Sequence, residues 1–182
     1  MTARSRTEEH RASTPLELFF DLCFVVAVAQ AGARLVHAVA GGHTGHGLTG
    51  YVLVFFAIWW AWVNFSWFAS AYDTDDVPYR ITTLVQIVGV LMLAAGVPRA
   101  FDIGDYRLTV CGYTVMRLAL VTQWLRAARS ESGPGRTTAL RYAAGVAACQ
   151  VGWLILLLPL GAPPVWAFVL MACAEMAVPP LA

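Results

Sequence analysis

The sequence predicts an all-α fold, a polytopic transmembrane helical bundle of about six helices with a cytoplasmic N-terminus. Of its 182 residues, 59% are hydrophobic and 13% are charged, and the mean hydropathy is +0.64. Most charges lie in short stretches between long apolar runs, whereas a soluble domain needs a charged surface. The lipid bilayer is therefore the expected environment, and a formal net charge of +1 indicates no nucleic-acid partner.

Six apolar segments account for most of the chain. A helix that crosses the hydrocarbon core needs about 20 residues, and the candidates are residues 15–38, 48–72, 80–98, 107–127, 139–160 and 165–181. The last segment is short and contains two consecutive prolines. We predict a cytoplasmic tail over residues 1–13 and one transmembrane helical domain over residues 14–182.

A capping box marks the start of the first helix. Thr14 precedes Pro15 at the first helical position, and Glu17 is spaced to reach back to the Thr14 backbone. The later segments are separated by turn-forming stretches at residues 41–47, 77–78 and 130–135.

The distribution of arginine predicts the orientation. A cytoplasmic N-terminus places eight arginines inside (Arg4, Arg6, Arg11, Arg80, Arg126, Arg129, Arg136 and Arg141) and three outside (Arg34, Arg99 and Arg107). This asymmetry favours an orientation with the N-terminus inside. A cleaved signal peptide is the alternative, but Glu17, Asp21 and Arg34 interrupt what would be its uncharged core.

Four polar residues are predicted to share a layer about 9–13 Å from the cytoplasmic ends of their helices: Asp21, Asn64, Gln86 and Arg117. A charge in hydrocarbon costs at least about 2.5–3.5 kcal/mol, so Asp21 and Arg117 are expected to face the interior and to pair. Two interpretations stay open. Asp21 either handles a proton or cation, or it forms a static packing pair; Glu175, midway along the last helix with no assigned partner, presents the same alternatives.

A charged cluster is predicted at the cytoplasmic mouth of this layer, formed by Glu17, Asp73, Asp75, Asp76 and Arg80. Its carboxylates are suited to a divalent cation, but the ligand spacing and glycine of an EF-hand are absent. The alternative is local: Asp75 or Asp76 caps the third helix, and Arg80 is the salt-bridge partner. We predict no metal site.

No cofactor or catalytic residue is predicted. The four cysteines lie singly in separate apolar segments, and His43 and His46 lack a nearby thiol or carboxylate. Phosphate-loop, nucleophile-elbow and zinc-protease motifs are also absent. The aromatic crowding of the second helix, with Trp60 and Trp67 on one face, favours packing over a ligand cage.

Several local strings carry a family resemblance: residues 15–22 (PLELFFDL) with Phe24 and Val25, residues 59–65 (WWAWVNF), residues 71–80 (AYDTDDVPYR) and residues 96–101 (GVPRAF). They resemble the bacterial low-temperature-requirement A (LtrA) family of multi-pass membrane proteins. The resemblance implies a growth phenotype in the cold and supplies no catalytic or binding residue. Members are expected to be longer, so missing C-terminal helices or a second copy are the expected partners.

We therefore predict a transporter or an ion or proton pathway with a cytoplasm-facing polar layer and Asp21 as its central titratable group. The substrate is not predicted. The alternative is a non-transporting membrane protein that supports the envelope or adaptation to cold stress. An intramembrane enzyme is less favoured, because no nucleophile and base stand out.

Overall fold

The computed structural model describes residues 2–3, 14–157 and 165–181. Within these residues the chain forms six helices, α1 (Pro15–Ala40), α2 (Thr44–Ala71), α3 (Val77–Ile103), α4 (Arg107–Ser130), α5 (Gly133–Leu157) and α6 (Val165–Leu181). Two short strands, β1 (Thr2–Ala3) and β2 (Tyr72–Asp73), pair antiparallel. The predicted all-α bundle of six helices is confirmed.

The lengths and composition of the helices fit a bilayer. Four of them, α1, α2, α3 and α5, are both long and apolar enough to cross a membrane. With 24 residues, α4 has a sufficient length of about 36 Å, but it carries Arg117 and Gln123, and it packs closely against both α3 and α5. The chain is therefore built as a multi-pass membrane protein whose most polar helix is enclosed by more apolar ones.

Several predicted helix boundaries were wrong. The third helix continues through Pro98 and ends at Ile103, and the following Gly104 adopts a left-handed conformation with φ of 69°. The second and fifth helices begin earlier than predicted, at Thr44 and Gly133. Hydropathy marks the part of a helix that lies in hydrocarbon, whereas these helices extend into polar flanking sequence. The predicted end of the fifth helix, at residue 160, lies outside the described residues.

Side-chain caps fix the N-terminal ends of α1 and α3. The predicted capping box is present: the Glu17 backbone N–H donates to Thr14 Oγ1 across 3.2 Å, and the Thr14 N–H donates to Glu17 Oε2 across 3.0 Å. Asp76 caps α3 by accepting the Tyr79 backbone N–H at 2.9 Å. Both helices therefore start where the chain supplies an acceptor for otherwise unpaired backbone donors.

A close helix crossing joins α3 to α4 through glycine. A Cβ atom added to Gly112 would lie 2.6 Å from the Leu93 backbone nitrogen and would also meet the Gly89 carbonyl oxygen. Small residues at such a crossing let two backbones approach closely, which strengthens packing where lipid provides no hydrophobic driving force. The crossing sets α4 deep in the bundle and so positions the polar residues that α4 carries.

Candidate functional site

A buried ion pair joins α4 to α6. An Nη atom of Arg117 contacts Oε2 of Glu175, and the two side chains are 3% and 1% exposed. The expectation that Arg117 pairs with Asp21 is wrong, and so is the expectation that Glu175 has no partner in this chain. The error arose because depth was counted along each helix separately. Such a count does not show that α6 lies beside α4 and brings Glu175 to Arg117.

Tyr113 and Trp153 complete a cluster around this pair. The Tyr113 hydroxyl donates to Glu175 Oε2 across 2.8 Å and accepts from Arg117 across 2.7 Å. Trp153 Nε1 donates to Glu175 Oε1 across 2.9 Å. Both carboxylate oxygens are thus hydrogen-bonded, whereas Arg117 Nε has no partner among the described residues. We call Tyr113, Arg117, Trp153 and Glu175 the charge cluster.

Two features of the local sequence build the cluster. Tyr113 and Arg117 are four residues apart on α4, so they share a face, and the Arg117 guanidinium lies 4.9 Å from the Tyr113 ring centroid. On the other side, α5 presents Gly145 and Gly152, which are seven residues apart and hence also on one face.

These α5 glycines admit α6 at short distance. A Cβ added to Gly145 would lie 2.7 Å from Val178 Cγ1, and one added to Gly152 would lie 2.7 Å from Met171 Cε. Glu175 lies between Met171 and Val178 on the same face of α6. The α5–α6 contact therefore directs Glu175 into the bundle, and the spacing of the two glycines was the sequence signal that could have indicated it.

A small apolar cavity adjoins the charge cluster. It has a volume of about 70 Å³, and its lining includes Tyr113 and Trp153 of the cluster. Gln150 and Thr109 also line it, and Gln150 Oε1 and Thr109 Oγ1 are buried without a hydrogen-bond partner among the described residues. Unpaired buried polar atoms beside a cavity of this size mark a place that water or a small polar group can occupy.

Asp21 lies away from this cluster, on the exposed side of α1. Its Oδ1 accepts a 2.8 Å hydrogen bond from Trp62 Nε1, and the side chain lines an open groove between α1 and α2. The expectation that Asp21 faces the bundle interior is wrong. The buried stripe of α1 runs through Phe20, Phe24 and Ala27, and Asp21 falls at its edge.

Asn64 and Gln86 are buried as predicted but do not join a common polar layer with Asp21. Asn64 Nδ2 donates to the Trp60 carbonyl of its own helix across 2.7 Å. Gln86 Oε1 has no partner among the described residues. No hydrogen bond in the described part of the chain links either amide to Asp21 or Arg117, so the four predicted residues do not form one continuous hydrogen-bonded site.

The predicted mouth is organised by pairs rather than by one cluster. Arg80 makes two hydrogen bonds to Asp75, at 2.9 and 2.6 Å, which confirms that predicted pairing. Glu17 is buried and accepts the Tyr79 hydroxyl at 3.1 Å. The side chain of Asp73 lies outside the described part of the structure. Among the described residues, no group of three or more His, Cys, Asp or Glu side chains is arranged to hold a metal ion.

Asp76 has a second partner that the sequence did not indicate. Arg126, near the C-terminal end of α4, donates to both of its carboxylate oxygens at 2.9 and 2.6 Å. Partial burial opposes the charged form, but the hydrogen bonds from the Tyr79 backbone and from Arg126 outweigh it, so the pKa of the Asp76 carboxyl lies below its ordinary value. The pair ties the start of α3 to the end of α4.

Comparison with known proteins gives a family and one relative. The family model described as bacterial low temperature requirement A protein (LtrA) matches residues 12–182. The chain is also similar to the uncharacterized protein RA0937 of Rhizobium meliloti (strain 1021), with 28% identity over 151 residues that cover 83% of this chain and 36% of that protein. The chain thus spans little more than a third of that relative's length. No solved structure matches this chain.

Proposed function

We propose, from the premise that this chain belongs to the bacterial low temperature requirement A family, that its charge cluster is the centre of a proton or ion pathway across the bacterial cytoplasmic membrane. The observation that carries the proposal is the Arg117–Glu175 pair beside a cavity with unpaired polar atoms. Ionisable side chains are costly within a membrane, and they commonly mark ion paths and proton relays.

The depth of the cluster supports this role. Arg117 lies ten residues from the start of α4, and Glu175 lies ten residues from the start of α6. Ten helical residues span about 15 Å, which is half of a hydrocarbon core about 30 Å thick. The pair therefore falls near the bilayer midplane, the position where a central site must be reached from both sides.

Polar groups extend from the cluster in both directions along α4. Thr109 and the cavity lie toward the start of α4, and Gln123 and Arg126 lie toward its end. With the N-terminus inside, as the arginine distribution predicts, the cavity is on the outer side of the cluster. Gln123 donates no hydrogen bond from Nε2 within the described residues, so it offers a further polar contact on the inner side.

The hydrogen bonds of Tyr113 suggest how a proton could move. Its hydroxyl contacts Glu175 and Arg117, and its side chain lines the cavity. A proton that arrives on water in the cavity is accepted by the hydroxyl oxygen as the hydroxyl proton passes to the Glu175 carboxylate. Protonation of Glu175 removes the charge that offsets Arg117, which loosens the contact between α4 and α6. Glu175 thus takes the central role that the sequence suggested for Asp21.

Proton flux in proteoliposomes tests the proposal. Purified protein is reconstituted with an internal pH-sensitive dye, and an inward-directed potential is imposed with potassium and valinomycin. We expect acidification faster than in protein-free liposomes, loss of this flux in Glu175→Gln, and its retention in Asp102→Asn, which removes an exposed carboxylate paired with Arg34. Rates equal to those of protein-free liposomes at both polarities would contradict a proton pathway.

One observation favours a second candidate, a non-transporting membrane protein that supports the envelope in the cold. Both oxygens of Glu175 already accept hydrogen bonds, as they would in a static pair that fixes helix packing. On this account a neutral pair at positions 117 and 175 restores growth at low temperature without any flux. A transport pathway requires the titratable group itself.

A further inference from the structure

We propose that the open groove between α1 and α2 binds a phospholipid with an ammonium headgroup, such as phosphatidylethanolamine, through Asp21. The groove has a volume of about 530 Å³. Asp21 and Trp62 form its polar end, and the remainder is lined by apolar side chains that include Val25, Val28 and Phe55. This site is separate from the charge cluster and independent of the proposed pathway.

The Asp21 carboxylate is only partly satisfied by the protein. Trp62 Nε1 donates to Oδ1, and no other side chain in the described part of the chain hydrogen-bonds to this carboxylate. The 26 residues of α1 span about 39 Å, so each end extends about 4–5 Å beyond a hydrocarbon core of about 30 Å. Asp21, about 9 Å from the start of α1, then lies about one helical turn inside the hydrocarbon boundary. An ionised carboxylate at this depth is costly unless a positive charge lies beside it.

The groove runs in the direction that a lipid takes in the adjacent leaflet. Val28 lies seven residues, or about 10 Å, deeper than Asp21 along α1. Phe55 precedes Trp62 by seven residues on the antiparallel α2, so it lies deeper by the same amount. A headgroup ammonium at Asp21 therefore places the acyl chain along the apolar half of the groove. The exposed indole rings of Trp59 and Trp62 add faces that attract a cation.

Charge complementarity selects this occupant over others. An anionic lipid would bring a like charge to Asp21. A second copy of the chain, packed through a twofold axis at this groove, would place two Asp21 carboxylates on one buried surface. An ammonium group instead supplies both a positive charge and hydrogen-bond donors to the unoccupied carboxylate oxygen.

Competition between two lipids tests the site. Purified protein in detergent is equilibrated with equal amounts of phosphatidylethanolamine and phosphatidylglycerol that carry the same acyl chains, and bound lipid is counted by native mass spectrometry. We expect the ethanolamine lipid to be favoured about three- to fivefold, the preference that one partly exposed ion pair supplies. Asp21→Asn should bring the ratio to about one, whereas Asp102→Asn should leave it unchanged.

A second variant probes the acyl-chain half and keeps the carboxylate. Val28→Trp fills the groove and should lower the retention of both lipids. This variant tests the site even if Asp21→Asn does not give a monodisperse protein. Equal retention of the two lipids by the wild-type protein would overturn the proposal, as would full retention in Val28→Trp or an unchanged preference in Asp21→Asn. Disulfide cross-linking between copies through Val25→Cys, in a background without the native cysteines, would place a second copy in the groove and also overturn it.

Discussion

The Tyr113 hydroxyl lies 2.8 Å from Glu175 Oε2, and the Tyr113 side chain also lines the cavity beside the charge cluster. The same hydroxyl accepts a hydrogen bond from Arg117. A single side chain thus contacts the carboxylate, the guanidinium and the cavity. Any account of the cluster, whether as a pathway or as packing, depends on this contact.

Removal of the Tyr113 hydroxyl should lower both the stability of the protein and its proton flux. In Tyr113→Phe the ring keeps its packing, but Glu175 and Arg117 each lose a buried partner, so we expect a loss of about 1–3 kcal/mol in the free energy of unfolding. Thermal unfolding in detergent measures this loss. Tyr51→Phe is the matched control, because Tyr51 stacks on Phe55 and its hydroxyl makes no hydrogen bond within the described residues. Equal effects in the two variants would count against the cluster.

The glycine crossing of α3 and α4 should be intolerant of a methyl group. Gly112→Ala places its Cβ against the Gly89 carbonyl and the Leu93 backbone nitrogen, neither of which can rotate away. We expect destabilisation of about 1–3 kcal/mol, as for other overpacked sites. Gly32→Ala is the control: nothing lies within 4 Å of its added Cβ, so the higher helix propensity of alanine should leave stability unchanged or raise it by up to about 1 kcal/mol. Similar unfolding temperatures for the two variants would disprove the close crossing.

Low pH should weaken the Asp76–Arg126 ion pair, which joins the start of α3 to the end of α4. The pKa of Asp76 is lowered in the folded protein from 3.8, so its stabilising contribution is fully present above the unfolded value and is lost as the pH falls through the folded value. The carboxylate is partly exposed, which limits the contribution to about 1 kcal/mol or less.

Thermal unfolding between about pH 6 and pH 3 measures this effect. Asp76→Asn keeps a side chain that can cap a helix but removes the charge. We expect the wild-type protein to be the more stable at neutral pH and the difference to narrow as the pH falls below about 4. A difference that stays constant over this range would contradict the role of the charged Asp76–Arg126 pair.

The proposed orientation can be checked by cysteine labelling in intact cells. The four native cysteines are replaced first, and single cysteines are then placed at Thr44, at the start of α2, and at Ser132, between α4 and α5; both positions are exposed. A membrane-impermeant maleimide should label position 44 in intact cells and position 132 only after the membrane is opened. Labelling in the reverse order would refute a cytoplasmic N-terminus.

Much of the helical architecture could be predicted because its signals are local. Thr14 and Glu17 define a capping box by spacing alone, and Asp76 occupies a cap position before Val77-Pro78. Long apolar runs likewise indicate helices wherever a bilayer forbids unpaired backbone groups. The helix ends were less accurate. Polar residues such as Arg99 and Asp102 continue α3 beyond its apolar part, where hydropathy no longer reports on the backbone.

The pairing of the buried charges could not be predicted from depth alone. Arg117 was expected to pair with Asp21, and Glu175 was left without a partner, because the pairing depends on which helices are neighbours and how each is rotated about its axis. The rotation of α1 follows from its stripe of Phe20 and Phe24, which leaves Asp21 outside. The approach of α6 follows from two glycines seven residues apart on α5. Their spacing marks a close contact, but it does not identify the helix that makes the contact.

Neutralising one or both members of the buried pair should separate folding from function. Glu175→Gln leaves Arg117 buried without its counter-charge, and we expect a loss of about 3–5 kcal/mol in stability. Combining it with Arg117→Gln should restore much of this loss, because neither side chain then carries a charge. Asp102→Asn breaks an exposed pair with Arg34 and should cost no more than about 1 kcal/mol. Unfolding in detergent provides all three values.

The most direct test of the proposed pathway is the proton flux of the Arg117→Gln, Glu175→Gln double variant in proteoliposomes, measured on protein whose unfolding temperature has recovered. A pathway through the charge cluster predicts a folded protein without flux, because the titratable carboxylate is absent whatever happens to its partner. Flux at the wild-type rate in this double variant would contradict the account and leave the buried pair as a packing device.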